Sequence, residues 1–391
     1  MTDNSLSQSP LYEKIQWIAL GNIAGIGSVT FCQLLSAFGT PIAIFSANFT
    51  QLNTVVSEKI ARAILQPIDE SALQDSLTWL SQPNNHLVTL ADSTYPQALL
   101  EVADPPPFLY AKGNLALFNQ ASIAIVGSRS ASVQGEKNAE SFAKALCEHG
   151  LCIVSGLALG IDAAAHRGAL QAARPFKGAT IAVVGTGLDI VYPAKHRDLA
   201  HQIIAEDGLI VSEFALGTPS KPQNFPKRNR IISGLSMGCL VVEANLQSGS
   251  QITARLAAEQ GREVFAIPGS IHSPMAKGCH QLIKQGAKLV DSLEDIVSEL
   301  RIKPRILNTA PSDRNISAPP LPDSAQNLTP QNDTKSKLLN IMGFDAINLE
   351  HLVQISGLTV NEVSSMLMIL ELEGSVASLA GGKYQKITSS I

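Results

Sequence analysis

The stretch SIAIVGSRSAS, residues 122–132, is an apolar run rich in Ile and Val that ends at a glycine followed by small hydroxyl residues. Similar apolar runs recur between residues 78 and 300, separated by amphipathic stretches: HLVTLAD (86–92), FLYAKG (108–113), LCIVSG (151–156), TIAVVGT (180–186), LIVSEF (209–214), CLVVEA (239–244) and EVFAIPG (263–269). Continuous apolar runs are typical of parallel strands that helices cover on both faces. The pattern therefore predicts a doubly wound α/β sheet over residues 78–302.

Ligands of such sheets bind beyond the carboxyl ends of the strands. Here those ends carry Gly127 to Arg129, Ser155 with Gly156, and Gly185 to Gly187. A strand-to-helix transition around Ser248 and Gly249 offers free amides and hydroxyls, which indicates an anion site. Neither GSRSAS nor GTGLDIVYP completes the G-x-G-x-x-G pattern, so ordinary dinucleotide binding has little support.

Two further regions flank the sheet. Residues 1–77 show helical spacing, and the turn GNIAGIGS (21–28) joins two apolar helices. This turn is either a helix-hairpin-helix whose amides hold a phosphate or a plain turn between helices. Residues 303–334 are rich in proline and polar residues, which predicts a disordered linker. Residues 335–391 contain three helical patterns and a β-ribbon, as in a small winged helix-turn-helix.

A basic patch stands out in a chain whose formal net charge is −4. The stretch KPQNFPKRNRIISGLS (221–236) contains four cations and Phe225, and its prolines with Asn224 predict a loop before a helix that begins at RIISGLS. Cations beside an aromatic ring suit a flexible single strand, whose phosphates pair with the charges while a base stacks on the ring. The alternative is a solvated loop with Phe225 turned into the core.

Composition excludes other classes of protein. The first residues lack the features of a signal peptide, and no apolar run is long enough to cross a bilayer, so we expect a cytoplasmic protein. Five scattered cysteines suit reduced thiols, and no CxxC or HExxH pattern indicates a metal. Glu213 and Glu243 close predicted strands, but no paired-carboxylate or Ser-His-Asp spacing accompanies them, so we expect no catalysis.

Six motifs occur in one order: AIVGSRSAS, SGLALGIDAAAH, GTGLDIVYP, FPKRNRIISGLS, VVEANLQSGSQITARLAAEQGREVFAIPG and GCHQLIKQGA. Together they resemble the DprA (Smf) family of DNA-processing proteins over residues 85–295. The resemblance implies an extended Rossmann-like domain, preceded by a helix-hairpin-helix or SAM-like helical domain and followed by a winged helix. It also implies a homodimer that binds single-stranded DNA and loads the RecA recombinase during natural transformation, without catalysis or a cofactor.

The resemblance assigns the DNA groove to Arg129 and to the cluster from Phe225 to Arg230, with Lys195 extending it. Because Arg228 and Arg230 alternate along the chain, one of them would face DNA and the other a buried carboxylate such as Glu213. His196 and His280 stand where the family tends to have Asn. The complete predicted set of DNA contacts is Gly127, Ser128, Arg129, Ser155, Gly156, Lys195, Phe225, Lys227, Arg228, Asn229, Arg230, Ser248 and Gly249.

Two alternatives belong to other functional classes. Related Rossmann-like folds include nucleoside-monophosphate phosphoribohydrolases, which resemble a PGGxGT pattern, but the segment IPGSIHS (267–273) lacks it. A duplex-binding regulator would act through the winged helix, whose second helix reads bases with basic and amide side chains. That helix, TVNEVSSMLMILELEG (359–374), contains three Glu and neither Lys nor Arg. We therefore expect the winged helix to contact protein, or its α/β neighbour, rather than duplex DNA.

Overall fold

A computed structural model describes residues 10–68, 73–302 and 330–387. Its first region packs short helices around Trp17, Phe31 and Trp79, and this core continues onto Leu87 and Tyr110 of the adjoining sheet. The helical region therefore covers one end of the sheet. Its helices are α1 (Pro10–Asn22), α2 (Ser28–Phe38), α3 (Pro41–Ser46), α4 (Phe49–Asn53), α5 (Glu58–Ile64) and α6 (Gln74–Leu80), the last of which crosses the predicted boundary after residue 77.

The second region is built on a nine-stranded sheet in the order β1-β2-β6-β5-β4-β3-β7-β8-β9. Each apolar run quoted above overlaps one strand to within one residue, and only the two-residue β9 was not predicted. The first two strands pair antiparallel, β2 is antiparallel to β6, and the other pairs are parallel. The strands are β1 (Asn85–Thr89), β2 (Phe108–Gly113), β3 (Ser122–Val126), β4 (Cys152–Ser155), β5 (Thr180–Val183), β6 (Leu209–Ser212), β7 (Gly238–Val241), β8 (Glu263–Ala266) and β9 (Lys288–Leu289).

The helices between these strands confirm the doubly wound architecture. The chain runs from β3 through β4 and β5 to β6 in one direction, and then returns to β7 on the other side of β3. Strand order therefore reverses between β3 and β7, and right-handed crossovers place the helices before and after this point on opposite faces. The helices are α7 (Val133–Glu148), α8 (Ile161–Leu170), α9 (Arg197–Ala205), α10 (Asn224–Gly234), α11 (Gly249–Glu259), α12 (Lys277–Lys284) and α13 (Leu293–Glu299).

The third region is the expected winged helix. Its three-stranded sheet has the order β10-β12-β11, and the core around Leu338, Leu352, Val363 and Leu367 is its own. The first helix begins at Pro330, five residues before the predicted start of the winged helix at residue 335, and the rest of the predicted linker lies outside the described residues. The elements are α14 (Pro330–Met342), β10 (Ile347–Asn348), α15 (Leu349–Ser356), α16 (Val360–Leu372), β11 (Val376–Leu379) and β12 (Lys383–Lys386).

Two general features bear on function. In the described ranges, no single helix is long and apolar enough to cross a membrane, although the bent pair α15 and α16 passes the same test of length and composition when taken together. The same ranges contain no group of three or more His, Cys, Asp or Glu side chains that could hold a metal ion.

Candidate nucleic-acid interface

A cavity of about 730 Å³ opens at the carboxyl edge of the sheet, beside the neighbouring strands β3 and β7. Three segments contribute most of its lining: the loop after β3, the first turns of α10, and the loop that leads into α11. This is the point where strand order reverses, which is where a doubly wound sheet binds its ligand. The polar lining includes Ser128, Arg129, Asn229, Ser248, Gly249 and Ser250, all but Ser250 in the predicted set.

The loop after β3 is held in place by Glu243, which follows β7. The Ser128 amide donates to the Glu243 main-chain carbonyl at 2.7 Å. The Ser132 amide and hydroxyl donate to the two carboxylate oxygens of Glu243 at 2.8 and 2.5 Å, and the Ser132 hydroxyl in turn accepts the amide of Gly135 at the start of α7. Arg129 therefore extends into solvent from a loop whose two ends are fixed.

The basic patch is helical where a loop was predicted. Helix α10 begins at Asn224, so Phe225, Lys227, Arg228 and Arg230 lie in its first two turns. The prediction of a loop was wrong because Pro226 stands at the third helical position. Amides of the first turn have no partner within the helix, so a proline there removes no hydrogen bond.

Arg228 lies beneath the cavity, with 3% of its surface exposed. Its Nη1 donates to the main-chain carbonyl of Gly156 at 2.7 Å and to that of Val183, at the ends of β4 and β5. The Asp162 carboxylate accepts the Gly156 amide at 3.1 Å. A side chain at residue 156 would overlap both the guanidinium and this carboxylate, so glycine is required. Arg228 thus fixes the floor of the cavity instead of extending into it.

The charges of Arg228 and Asp162 stabilise each other. Burial lowers the pKa of Arg228 to about 10, which still leaves it protonated at neutral pH. Burial also raises the pKa of Asp162, and the neighbouring Arg228 charge opposes that rise. Each ion therefore makes the burial of the other less unfavourable.

Arg230 faces the helical region. Its Nη2 donates to Glu213 Oε2 at 2.6 Å, which confirms the predicted pairing of one alternate arginine with that carboxylate. The same Nη2 lies 3.4 Å from the Ser28 hydroxyl, and Nε lies 3.4 Å from Asp104. Lys227, which is exposed, approaches Glu213 Oε2 at 3.3 Å. Burial raises the pKa of Glu213, and the charges of Arg230 and Lys227 oppose that rise. Neither Arg228 nor Arg230 therefore presents a free guanidinium to the cavity.

Three side chains form the mouth of the cavity. The Arg129 guanidinium lies over the Phe225 ring, 5.2 Å from its centroid. The Tyr192 ring lies 5.7 Å from that of Phe225 at an interplanar angle of 43°. All three also border a second, smaller cavity of about 60 Å³. One exposed cation and two adjacent rings thus lie together at the border of both cavities.

Four predicted residues border neither cavity: Lys227 and Arg230, described above, and Ser155 and Lys195. Ser155 is buried, and its hydroxyl donates to the Ile125 carbonyl at 2.6 Å, so it joins β4 to β3 inside the sheet. Lys195 is exposed on the short turn Ala194–His196 and does not border either cavity. The adjacent His196 is buried, and its Nδ1 lies 2.9 Å from the Leu157 carbonyl.

The segment before α11 also lines the larger cavity. Ser248 caps this helix, and its hydroxyl lies 2.7 Å from that of Ser250. The Asn229 amide group donates to the Gly249 carbonyl at 3.4 Å and so ties α10 to α11. Gly127 lies at the end of β3, and a side chain there would meet Ile161 and the Glu243 carbonyl.

Two functional residues were missed from the sequence. Tyr192 belongs to the motif GTGLDIVYP but is absent from the predicted set of contacts, although an aromatic residue near the end of a strand can indicate a ligand contact. Glu243 was considered as an acid or base, whereas its carboxylate anchors the Arg129 loop. The position of Ser132, 111 residues earlier in the chain, gives no local sign of that contact.

Comparisons with known proteins agree with this arrangement. The family model of DNA recombination-mediator protein A matches residues 86–301, and that of the DprA winged helix domain matches residues 319–382. Protein Smf of Escherichia coli is 40% identical over 346 residues, which is 87% of this chain and 89% of that protein. DNA processing protein DprA of Streptococcus pneumoniae is 49% identical over 211 residues, which is 54% of this chain and 73% of that protein.

A solved structure supports the same relationship. The X-ray structure of DNA processing protein A from Streptococcus pneumoniae is 37% identical, with a TM-score of 0.64, and the match covers 73% of this chain and 97% of that chain. The first family model spans residues 86–301, which include the strands that border the cavity. The chain therefore belongs to the DNA recombination-mediator protein A family.

Proposed function

We propose that this protein is a recombination mediator that holds single-stranded DNA in the cavity at the carboxyl edge of its sheet. The observation that carries the proposal is the combination of one exposed cation with two rings, because Arg129 lies over Phe225 and Tyr192 borders the same cavity. Cations attract the phosphates of a strand, and rings stack with its unpaired bases. A duplex keeps its bases stacked on one another and would gain only from the cation.

The carboxylates around the cavity favour binding over catalysis. Glu213 is bonded to Arg230, Glu243 to Ser132, and Asp162 to the Gly156 amide. A general acid or base has to reach a proton of the substrate, and each of these groups is bonded to its own protein instead. We therefore propose a site without a catalytic step. Release of free base from nucleoside monophosphates by the purified protein would instead favour the nucleotide-processing alternative.

We further propose that the protein loads RecA onto the bound strand during natural transformation and that it works as a homodimer. A groove of about 650 Å³ between α11 and α12 supports the dimer, because Leu246 at its border is 59% exposed and a second copy could cover it. The molar mass in solution tests the dimer. Assembly of RecA filaments on a strand, with and without this protein, tests the loading.

Binding of a labelled oligo-dT strand and of a matching duplex, each at low and moderate salt, tests the central proposal. We expect the wild type to prefer the single strand. Arg129→Gln should weaken that binding and reduce the slope of log affinity against log salt by about 0.7, as for one lost phosphate contact. The matched control is Arg174→Gln, whose side chain is 81% exposed at the amino edge of the sheet.

Two outcomes would contradict the proposal. Equal and weak binding of the strand and the duplex by the wild type would mean that the cavity does not select unpaired bases. Equal effects of Arg129→Gln and Arg174→Gln would mean that binding depends on total charge and not on the cavity.

A further inference from the structure

The Phe225 ring is enclosed in this structure. One neighbour is the backbone of Gly185, where an added Cβ would lie 3.1 Å from Phe225 Cδ1. The Arg129 guanidinium covers the ring at 5.2 Å, and that of Arg228 lies 6.0 Å from its centroid. Stacking of a base on Phe225 would require Arg129 to leave this position.

Tyr192 differs from Phe225 in exposure. Tyr192 is 44% exposed, whereas a smaller fraction of Phe225 is exposed. Its ring borders both the larger and the smaller cavity, and Arg129 borders both as well. An exposed ring and an exposed cation that border the same cavities are the two groups that a single strand requires, one for a base and one for a phosphate.

We infer that Tyr192 is the ring on which an unpaired base stacks, and that Phe225 instead supports Arg129 in its position for a phosphate. This inference depends on the proposed binding of single-stranded DNA and adds the residue that recognises the base. The two rings then have separate roles: Tyr192 contributes the contact that depends on a base, and Phe225 contributes through the cation that it holds.

The test compares two strands of equal length, oligo-dT and the same backbone with abasic sites in place of its central bases. Tyr192→Leu should weaken binding of oligo-dT about 5- to 150-fold, the range for loss of one stacked base, and should leave binding of the abasic strand nearly unchanged. Tyr192→Phe and Tyr192→Trp keep a ring and should retain the preference for oligo-dT. The salt dependence should be unaltered in all three variants, because no phosphate contact is lost.

Phe225→Leu provides the contrast. It should weaken binding of both strands by similar factors, because it displaces the Arg129 cation and not a base contact. Circular dichroism of each variant checks that the fold is retained.

The result that overturns the inference is a Tyr192→Leu variant that binds oligo-dT as the wild type does, or that loses equal affinity for both strands. Either result is distinct from failure of the proposed function, which would appear as absence of strand binding by the wild type itself.

Discussion

At the scale of single residues, the arginines in and near the candidate site differ in a way that their charges do not reveal. Arg129 is exposed over a ring, Arg228 is buried under the cavity, and Arg230 is bonded to Glu213. A buried guanidinium with carbonyl and carboxylate neighbours organises backbone, whereas an exposed one is free to meet a phosphate. The function of each arginine therefore follows from what packs around it.

Replacement of Arg228 should lower the stability of the fold directly and weaken binding only through that loss. Arg228→Ala leaves the Asp162 carboxylate buried without its cation, which should reduce the free energy of unfolding by about 3–5 kcal/mol. Denaturant unfolding measures this loss. The double variant Arg228→Ala, Asp162→Asn should lose less stability than Arg228→Ala alone, because it no longer contains a buried carboxylate without its cation. An unchanged unfolding midpoint for Arg228→Ala would contradict the structural role, and Arg255→Ala on the exposed face of α11 is the control.

His166 makes stability depend on pH. It is buried beside Thr180, whose hydroxyl donates to the Ile153 carbonyl, so His166 Nδ1 donates to that hydroxyl at 2.8 Å. Burial lowers the pKa of His166 from 6.5 to about 3. As pH falls below about 6.5 the unfolded chain binds a proton that the folded state does not, so this residue reduces stability by about 1.4 kcal/mol per pH unit until about pH 3.

The variant His166→Gln should therefore show a shallower loss of stability than the wild type between pH 6 and pH 4, measured by denaturant unfolding at each pH. His201→Gln, at an exposed position of α9, is the control and should follow the wild type. Parallel curves for the wild type and His166→Gln would show that His166 is not the group responsible.

At the scale of elements, the site consists of loops and helix starts that other elements hold. The segment 127–132 depends on Glu243, which follows β7, and the start of α10 depends on the ends of β4 and β5. Sites held by rigid strands are more precise than sites on free loops. The cavity therefore keeps its shape through contacts that lie behind its surface.

Loss of the Glu243 carboxylate should loosen the Arg129 loop. We expect Glu243→Ala to weaken binding of oligo-dT about tenfold, or about 1.4 kcal/mol, because two hydrogen bonds to Ser132 are lost. Glu243→Gln keeps the shape and an acceptor oxygen and should recover part of the affinity. Glu259→Ala, exposed on α11, should have no effect. Unaltered binding by Glu243→Ala would show that the loop is held by other contacts.

The winged helix should bind duplex DNA only weakly. Helix α16 contains Glu362, Glu371 and no cation, while Met368 and Leu372 on its surface are 66% and 81% exposed. Carboxylates repel phosphates, and exposed apolar side chains suit a protein surface. Residues 330–387, which have their own core, should bind a labelled duplex much more weakly than the full chain binds oligo-dT. Tight duplex binding by that fragment would contradict this expectation.

At the scale of the whole molecule, the helical region and the α/β sheet share a hydrophobic core. Their cores meet at Leu87 and Tyr110, and Arg230 of α10 reaches Ser28 at the start of α2. The winged helix has a separate core. Regions that share a core should unfold together, and a region with its own core is free to unfold alone.

This difference predicts two unfolding events that tryptophan fluorescence can separate. Trp17 and Trp79 are the two tryptophans of the chain, and both are buried in the helical region. Their fluorescence change should coincide with the main loss of circular dichroism, while unfolding of the winged helix should change dichroism without a fluorescence change. A tryptophan transition at clearly lower denaturant than the main one would mean that the helical region is independent of the sheet.

The sequence by itself determined the sheet, the edge at which the candidate site lies, and the winged helix. Apolar runs such as SIAIV and TIAVV identify buried strands without knowledge of their neighbours, because a strand that is buried on both faces is apolar at nearly every position. Glycine and small residues after a strand likewise mark the ligand edge. The start of α10 was missed because local turn signals, Pro226 and Asn224, are also compatible with the first turn of a helix.

Only the tertiary structure decided which of these residues is free to bind. Arg228 is buried by carbonyls that lie 72 and 45 positions away in the chain, and Glu243 anchors a serine 111 positions away. Tyr192 meets Phe225 only because the segment after β5 and the first turn of α10 converge at one edge. Exposure and pairing depend on partners from distant segments, so side chains of equal charge in the sequence have different roles in the folded protein.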